Sequence, residues 1–211
     1  MRYFILSLIV VLSSCGPREA ASQGVEAGGR KADIVYREGS RSLVLGGGCF
    51  WCLEAAYEIV PGVLDVESGY AGGSRADPSY EQVSTGLTGH AEVVRVVYDP
   101  AVVSIRTLLE LFFRIHDPTT EDRQGADVGT QYRSIVLYAD EEQKAAAEAA
   151  IRDAQAGFRD PIVTDLAALD RFWPAEDYHQ DFFRKNPAYG YCQVIVAPKV
   201  EKTKSFVDAL P

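Results

Sequence analysis

Histidine and cysteine are scarce in this 211-residue chain, three and four respectively, and that scarcity excludes most metal chemistry. A zinc site built on Cys49 and Cys52 would need two more ligands, and only Cys192, His90, His116 and His179 remain, none forming a second spaced pair. Lysine and arginine form no basic run, and the formal charge is −9, which excludes nucleic acid as a partner. The loose cluster Lys199, Lys202 and Lys204 reads as the solvated face of a terminal helix. The apolar stretch 3–12 is about ten residues long, too short for a membrane span of roughly 20. Gly46-Gly47-Gly48 lacks both the third glycine of a dinucleotide loop and the lysine of a P-loop, so it is not a phosphate cradle. Neither an internal repeat nor a linker interrupts residues 41–211, some 170 residues that fit one domain with a full core.

What is present begins with a leader. Met1-Arg2 is a short positive region before the apolar stretch, the pattern of a secretory signal. Leu12-Ser13-Ser14-Cys15 resembles the lipobox of bacterial lipoproteins, which implies a lipid on Cys15 and a protein of the cell envelope or periplasm, anchored to a membrane. Residues 1–15 are then the signal peptide with its lipobox cysteine. Residues 16–40, rich in Gly, Ala, Ser and charge, form a flexible tether. Loss of residues 1–14, whose only charged side chain is Arg2, takes the charge from −9 to −10.

Apolar periodicity places strands at 43–45, 63–70, 91–98, 134–138, 162–166 and 194–196, and helices at 50–60, 79–84, 105–116, 141–156 and 198–209. Residues 117–130 read as a polar loop, and 172–190 as short helices and loop. The irregular alternation predicts an α/β (α+β) two-layer sandwich, a mixed β-sheet with helices packed on it around a ferredoxin-like core.

Cys49 follows the three glycines at a strand-to-helix turn, where backbone N–H groups and the helix dipole favour a thiolate. With Cys52 it forms a CxxC whose sulfurs share one helix face, a redox couple or half a metal site. Phe50 and Trp51 cannot both face one core, so one is expected to line the Cys49 cleft. Glu92 opens the apolar strand Val93-Val94-Arg95-Val96-Val97, where neighbours that exclude water would raise its pKa and make it a proton donor; an exposed strand-end charge is the alternative. His90-Ala91-Glu92 has the HxE form of zinc deaminases, but there the CxxC follows HxE, whereas here it precedes it by about forty residues. Asp127 and Tyr132 read locally as a turn carboxylate and a half-buried phenol.

Taken together, Gly48-Cys49-Phe50-Trp51, Gly69-Tyr70-Ala71-Gly72-Gly73, Tyr80-Glu81-Gln82-Val83, Thr88-Gly89-His90-Ala91-Glu92, Tyr98-Asp99-Pro100, His116-Asp117-Pro118-Thr119, Asp127-Val128-Gly129-Thr130-Gln131-Tyr132-Arg133-Ser134 and Ala175-Glu176-Asp177-Tyr178-His179-Gln180 resemble, in order, the peptide methionine sulfoxide reductase A family. The resemblance implies thiol-dependent reduction of methionine S-sulfoxide, free or in proteins, by an enzyme without a bound cofactor or metal. It implies that Cys49 attacks the sulfoxide sulfur, Glu92 protonates the oxygen with help from Tyr80 and Tyr132, Phe50 and Trp51 take the methyl group, and Asp127 and His179 support the site. Cys49 would become a sulfenic acid and then a disulfide with Cys52 or Cys192, which a thioredoxin-like protein or another dithiol reduces. Both resolving cysteines match family patterns; Cys52 is expected to act first, with Cys192 relaying the disulfide outward from a loop after Gly190. A monomer is expected. The rivals are a thioredoxin-like disulfide oxidoreductase, which would not need Glu92, and a non-catalytic lipoprotein that binds methionine-rich partners.

Overall fold

A computed structural model describes residues 38–210. Cys15, the leader and the tether up to residue 37 lie outside the described residues.

The chain builds β1 (Arg41–Gly47), α1 (Phe50–Tyr57), β2 (Val63–Ala71), α2 (Tyr80–Ser84) and β3 (Ala91–Tyr98), then α3 (Ile105–Ile115) and a two-residue hairpin of β4 (Arg123–Gln124) and β5 (Asp127–Val128). It continues through β6 (Ser134–Tyr138), α4 (Glu141–Gln155), β7 (Asp165–Ala168), β8 (Phe172–Pro174), α5 (Phe182–Lys185) and α6 (Ala197–Asp208). The six-stranded sheet has the order β7-β6-β1-β3-β2-β8. Its four middle strands are antiparallel neighbours, β7 joins β6 in parallel, and β8 joins β2 antiparallel, so the sheet is mixed. With α1 linking β1 to β2 and α3 linking β3 to β6, the order β6-β1-β3-β2 is the ferredoxin-like core expected from the sequence.

β1 runs through the middle of the sheet, so Leu43, Val44 and Leu45 are buried on both faces, which explains its unbroken apolar run. On one face, α1, α3 and α6 pack with the sheet into the main core, and α3 contributes Leu108, Leu109, Leu111 and Phe112, all at 0 % exposure. Each such side chain adds roughly 1.5–3 kcal/mol by leaving water. α3 starts at Ser104, whose hydroxyl accepts from Thr107 N–H at 3.1 Å, and α4 starts at Asp140, which accepts from Gln143 N–H at 2.8 Å. The other face of the sheet carries a smaller cluster of Val44, Ala71, Ala91, Val93, Ile135 and Leu137.

Four sequence expectations differ from the fold. Residues 194–196 are not a strand: Cys192–Val196 is a π-helical turn running directly into α6. The run instead continues into α6 as one helical stretch that packs on α1, and Val194 stays exposed. Cys192 therefore sits in a helix, not a loop. The strand expected at 162–166 lies later, at Asp165–Ala168, where it meets β6. Phe172–Pro174, read as helix or loop, is the strand β8, its closing proline at the sheet's edge. α1 ends at Tyr57, short of Val60. Among the described residues, no helix is long and apolar enough to cross a membrane.

Candidate active site

The site forms where β1 gives way to α1. Gly46 lies so close to β3 that an added Cβ would be 2.8 Å from the Glu92 carbonyl oxygen, which brings the start of β3 beside the turn. Gly48 has φ +93°, a conformation that side chains resist, and it bends the chain into the helix. Cys49 is the N-cap of α1 but makes no side-chain cap. Glu92 does that instead: its Oε2 accepts from Phe50 N–H at 3.0 Å. A carboxyl distant in sequence thus satisfies the first helical donor and is fixed one residue from the Cys49 sulfur.

Two further elements close the pocket. α2 opens on a capping box between Ser79 and Gln82, and Glu176 accepts from Tyr80 N–H at 2.8 Å and from the Tyr70 hydroxyl at 2.8 Å, so Tyr80 is tied to the sheet. The turn Thr130–Tyr132 is pinned to the end of α2 by Thr130 Oγ1 donating to Gly86 O at 3.0 Å. The β4–β5 hairpin, read from the sequence as plain loop, carries Asp127, whose Oδ2 accepts from the Tyr191 hydroxyl at 2.6 Å. Cys49, Phe50, Trp51, Tyr80, Glu92, Asp127, Tyr132, Tyr189 and Tyr191 line a cavity of about 210 Å³.

Eight of the ten residues singled out in the domain are thus at or beside one cavity. Both Phe50 and Trp51 line it, rather than one of them. Cys52 touches it through Cys49, to which it is hydrogen-bonded. Cys192 is fully buried where its helix packs on α1, near enough to feel the charge of Cys52. His179 is the exception: it lies behind the wall at 2 % exposure, its ring against Phe50 (4.9 Å), Trp51 (5.6 Å) and Tyr80 (4.5 Å), and burial takes its pKa down to about 4, so it is neutral. It supports the aromatic wall and does not face substrate. Tyr189, Tyr191, Glu176 and Phe182, which stacks on Trp51 at 3.6 Å, were not read as individual site residues; the only signal was the aromatic bias of the stretch from Trp173 to Cys192.

The electrostatics are those of a dry site. Burial pushes Glu92 up to about 8, against an opposing pull from Phe50 N–H, so its carboxyl is neutral at pH 7. Burial likewise raises the Tyr80 and Tyr132 hydroxyls, with the Glu92 charge adding to it, so both remain donors. The thiolate expected at Cys49 from its helix terminus is not the resting state. Burial, then the hydrogen bond to Cys52 and the charge of Glu92, hold Cys49 well above an ordinary thiol, and the amide of Trp51 is too weak to reverse this. Cys52 is drawn down to about 7 by its interaction with the Cys49 thiol and by the charge of Lys199, against the opposing effect of burial. The two thiols are coupled and titrate as a pair. Lys199 therefore does more than solvate a helix face. All three cysteines among the described residues are free.

Known proteins bear on this geometry directly. A family model described as peptide methionine sulfoxide reductase matches residues 41–209. The peptide methionine sulfoxide reductase MsrA of Nautilia profundicola is 58 % identical over 159 residues, covering 75 % of this chain and 91 % of that protein. The crystal structure of Mxr1 from Saccharomyces cerevisiae in reduced form superposes with a TM-score of 0.72 at 35 % identity, over 76 % of this chain and 94 % of that one. Mxr1 in complex with Trx2 gives a TM-score of 0.52 at 25 % identity, over 72 % and 91 %. With the match running from the first residue of β1 to the end of α6, and with more than half the positions shared with a curated relative, the chain belongs to the MsrA family of peptide methionine sulfoxide reductases, oxidoreductases that return methionine sulfoxide to methionine.

Proposed function

We propose that Cys49 is the nucleophile and Glu92 the proton donor in the reduction of methionine S-sulfoxide, free or within proteins. The observation that carries this assignment is a buried thiol and a neutral, buried carboxyl lining one small cavity. A sulfoxide oxygen is a strong hydrogen-bond acceptor and leaves only once protonated. Glu92 Oε2 is occupied by Phe50 N–H, so the other oxygen carries the proton to be given. The hydroxyls of Tyr80 and Tyr132 hold the sulfoxide oxygen in place, and Asp127 is held by Tyr191 at the pocket edge. Phe50 and Trp51 present the apolar surface for the methyl group.

The Cys49 sulfur bonds to the sulfoxide sulfur as one proton passes from Glu92 to the sulfoxide oxygen and the Cys49 proton replaces it on the Glu92 carboxylate. The S–S bond then breaks as oxygen transfers, so that thiol plus sulfoxide becomes Cys49 sulfenic acid plus the methionine thioether. The Cys52 thiol condenses with the sulfenic acid, releasing water and forming the Cys49–Cys52 disulfide. Cys192 then attacks Cys52, freeing the Cys49 thiol; because Cys192 is buried in its helix, the Cys192–Val196 turn must open before a thioredoxin-like dithiol reduces the Cys52–Cys192 disulfide and is itself oxidised. The structure of the yeast relative with Trx2 supports that choice of reductant.

A Glu92→Gln protein tests the assignment. Its rate of methionine sulfoxide reduction is expected to fall by roughly 10²–10⁴-fold while exchange with a small disulfide is unchanged; sulfoxide reduction within threefold of the parent would sink it. We further propose that Cys15 carries lipid, that residues up to 40 tether the domain, and that it works at a membrane surface of the cell envelope. The Leu12-Ser13-Ser14-Cys15 sequence after a short apolar run supports this. Mass spectrometry of the protein from a membrane fraction is expected to find a chain beginning at acylated Cys15; an intact Met1 in a soluble fraction would overturn it.

A further inference from the structure

Glu54 is a buried carboxyl for which the sulfoxide chemistry has no use. It sits on α1, five residues after Cys49, at 1 % exposure. One of its oxygens, Oε2, accepts from Phe182 N–H at 3.3 Å, and the neighbouring Asp181 N–H also donates to the carboxyl; Oε1 has no partner. A carboxyl is seldom left so deep without a purpose, and apolar packing alone would be better served by leucine.

The donors it holds are those at the start of α5 (Phe182–Lys185). Asp181, in the natural N-cap position, cannot cap this helix: it is in the left-handed region at φ +56°, and its side chain turns to Arg184 at 2.7 Å and Lys185 at 3.4 Å. Glu54 supplies the cap from another helix, joining α5 to α1. The first residue of α5 is Phe182, whose ring lies parallel to Trp51 at 3.6 Å and 5°. Tyr189 meets both rings edge-on, at 6.4 Å to Trp51 and 5.6 Å to Phe182. Trp51 in turn is pocket wall.

We infer that Glu54 is a positioning residue for substrate: by capping α5 it seats Phe182 against Trp51 and so sets the apolar wall against which the methyl group binds. The inference rests on the reading of the Cys49 pocket as the sulfoxide site. Its consequence is specific to binding, because neither Cys49 nor Glu92 is touched by α5.

Steady-state kinetics on methionine S-sulfoxide with dithiothreitol, normalised by the methionine released per chain in a reductant-free single turnover, separate this role from plain stability. Glu54→Leu is expected to raise KM by about tenfold with kcat per active site changed by less than about twofold. Glu54→Gln, whose carbonyl still accepts from Phe182 N–H, should restore KM to within about threefold. Phe182→Leu should raise KM as Glu54→Leu does, and the double variant should be no worse than either, since both break one device. If Glu54→Leu does not fold, Glu54→Asp, too short to reach α5, must show the same rise. An unmoved KM with fewer active sites, or effects that multiply in the double variant, would overturn the inference. A Cys49→Ser protein that still reduces sulfoxide would instead overturn the reading of the pocket, and its inactivity with KM unmoved by Glu54 leaves that reading standing while the inference fails.

Discussion

Replacing Glu92 with glutamine should alter the pH dependence of stability by an amount that burial of this one carboxyl sets. The pKa rises from 4.5 to about 8 because the group is shut away from water, at 2 % exposure. At 1.36 kcal/mol per pKa unit, the fold prefers the neutral over the charged carboxyl by about 5 kcal/mol. Because the folded pKa is raised, the neutral carboxyl's contribution is complete below pH 4.5 and is lost as pH climbs to 8. Roughly 3 kcal/mol of it is gone by pH 7, and about 5 kcal/mol above pH 8. Glutamine has the same shape and does not titrate. The unfolding free energy of Glu92→Gln minus that of the parent should therefore be flat at acid pH, climb by about 1.4 kcal/mol per unit, and level off above pH 8. The amide NH₂ adds a constant offset, which the slope ignores. Urea unfolding from pH 4 to 9, with Cys52→Ser in both proteins so that the thiol of pKa about 7 does not titrate in the same range, measures it. A difference that stays constant with pH, or a rise complete by pH 5, would show that Glu92 is solvated and would remove the proton donor from the mechanism.

The thiols and the turn yield two more expectations. A Cys52→Ser protein, after one turnover with sulfoxide, should accumulate sulfenic acid that dimedone traps, while Cys192→Ser should still form the Cys49–Cys52 disulfide; disulfide formation at full rate in Cys52→Ser would reverse the order of resolution. Gly48→Ala places a side chain at φ +93° with its Cβ 2.6 Å from Gln124 Cγ. Gln124 can move, so backbone strain dominates, and urea unfolding should show a loss of about 1–3 kcal/mol; an unchanged midpoint would contradict the strained turn.

How far the sequence reached depends on how local each signal was. The glycine turn before Cys49, the start of α3 after Ser104, the alternation of β2 and the β-branched run of β3 are each written in a few adjacent residues, and all are where the sequence places them. Phe50, Glu92, Tyr80 and Asp127 were individually ordinary, and only the ordered set of segments joined them. What was hidden is what distant neighbours decide. Residues 194–196 have strand propensity but are wound into the helical stretch that packs on α1. That same helix delivers Tyr191 to Asp127, so misreading its course concealed two tyrosines of the pocket. The ionisation of Cys49 failed for a related reason: the helix dipole is a local effect, whereas burial under Glu92, Tyr132 and Tyr191 is tertiary and larger.

That failure clarifies the role of the second cysteine. Exclusion of water makes Glu92 an acid able to donate at neutral pH, but the same exclusion holds the proton on Cys49, and a nucleophile must lose its proton as the sulfoxide oxygen gains one. In the proposed chemistry Cys52 eases that loss, because it is drawn down to about 7 beside Cys49 and the two thiols titrate as a pair. A proton on Glu92 and a thiol pair that shares one titration are the protonation features that the proposed attack and oxygen departure use. In that reading the thiol that later closes the disulfide also eases the first step. Two needs are met by one side chain, and both follow from its place one turn along the helix that Glu92 caps.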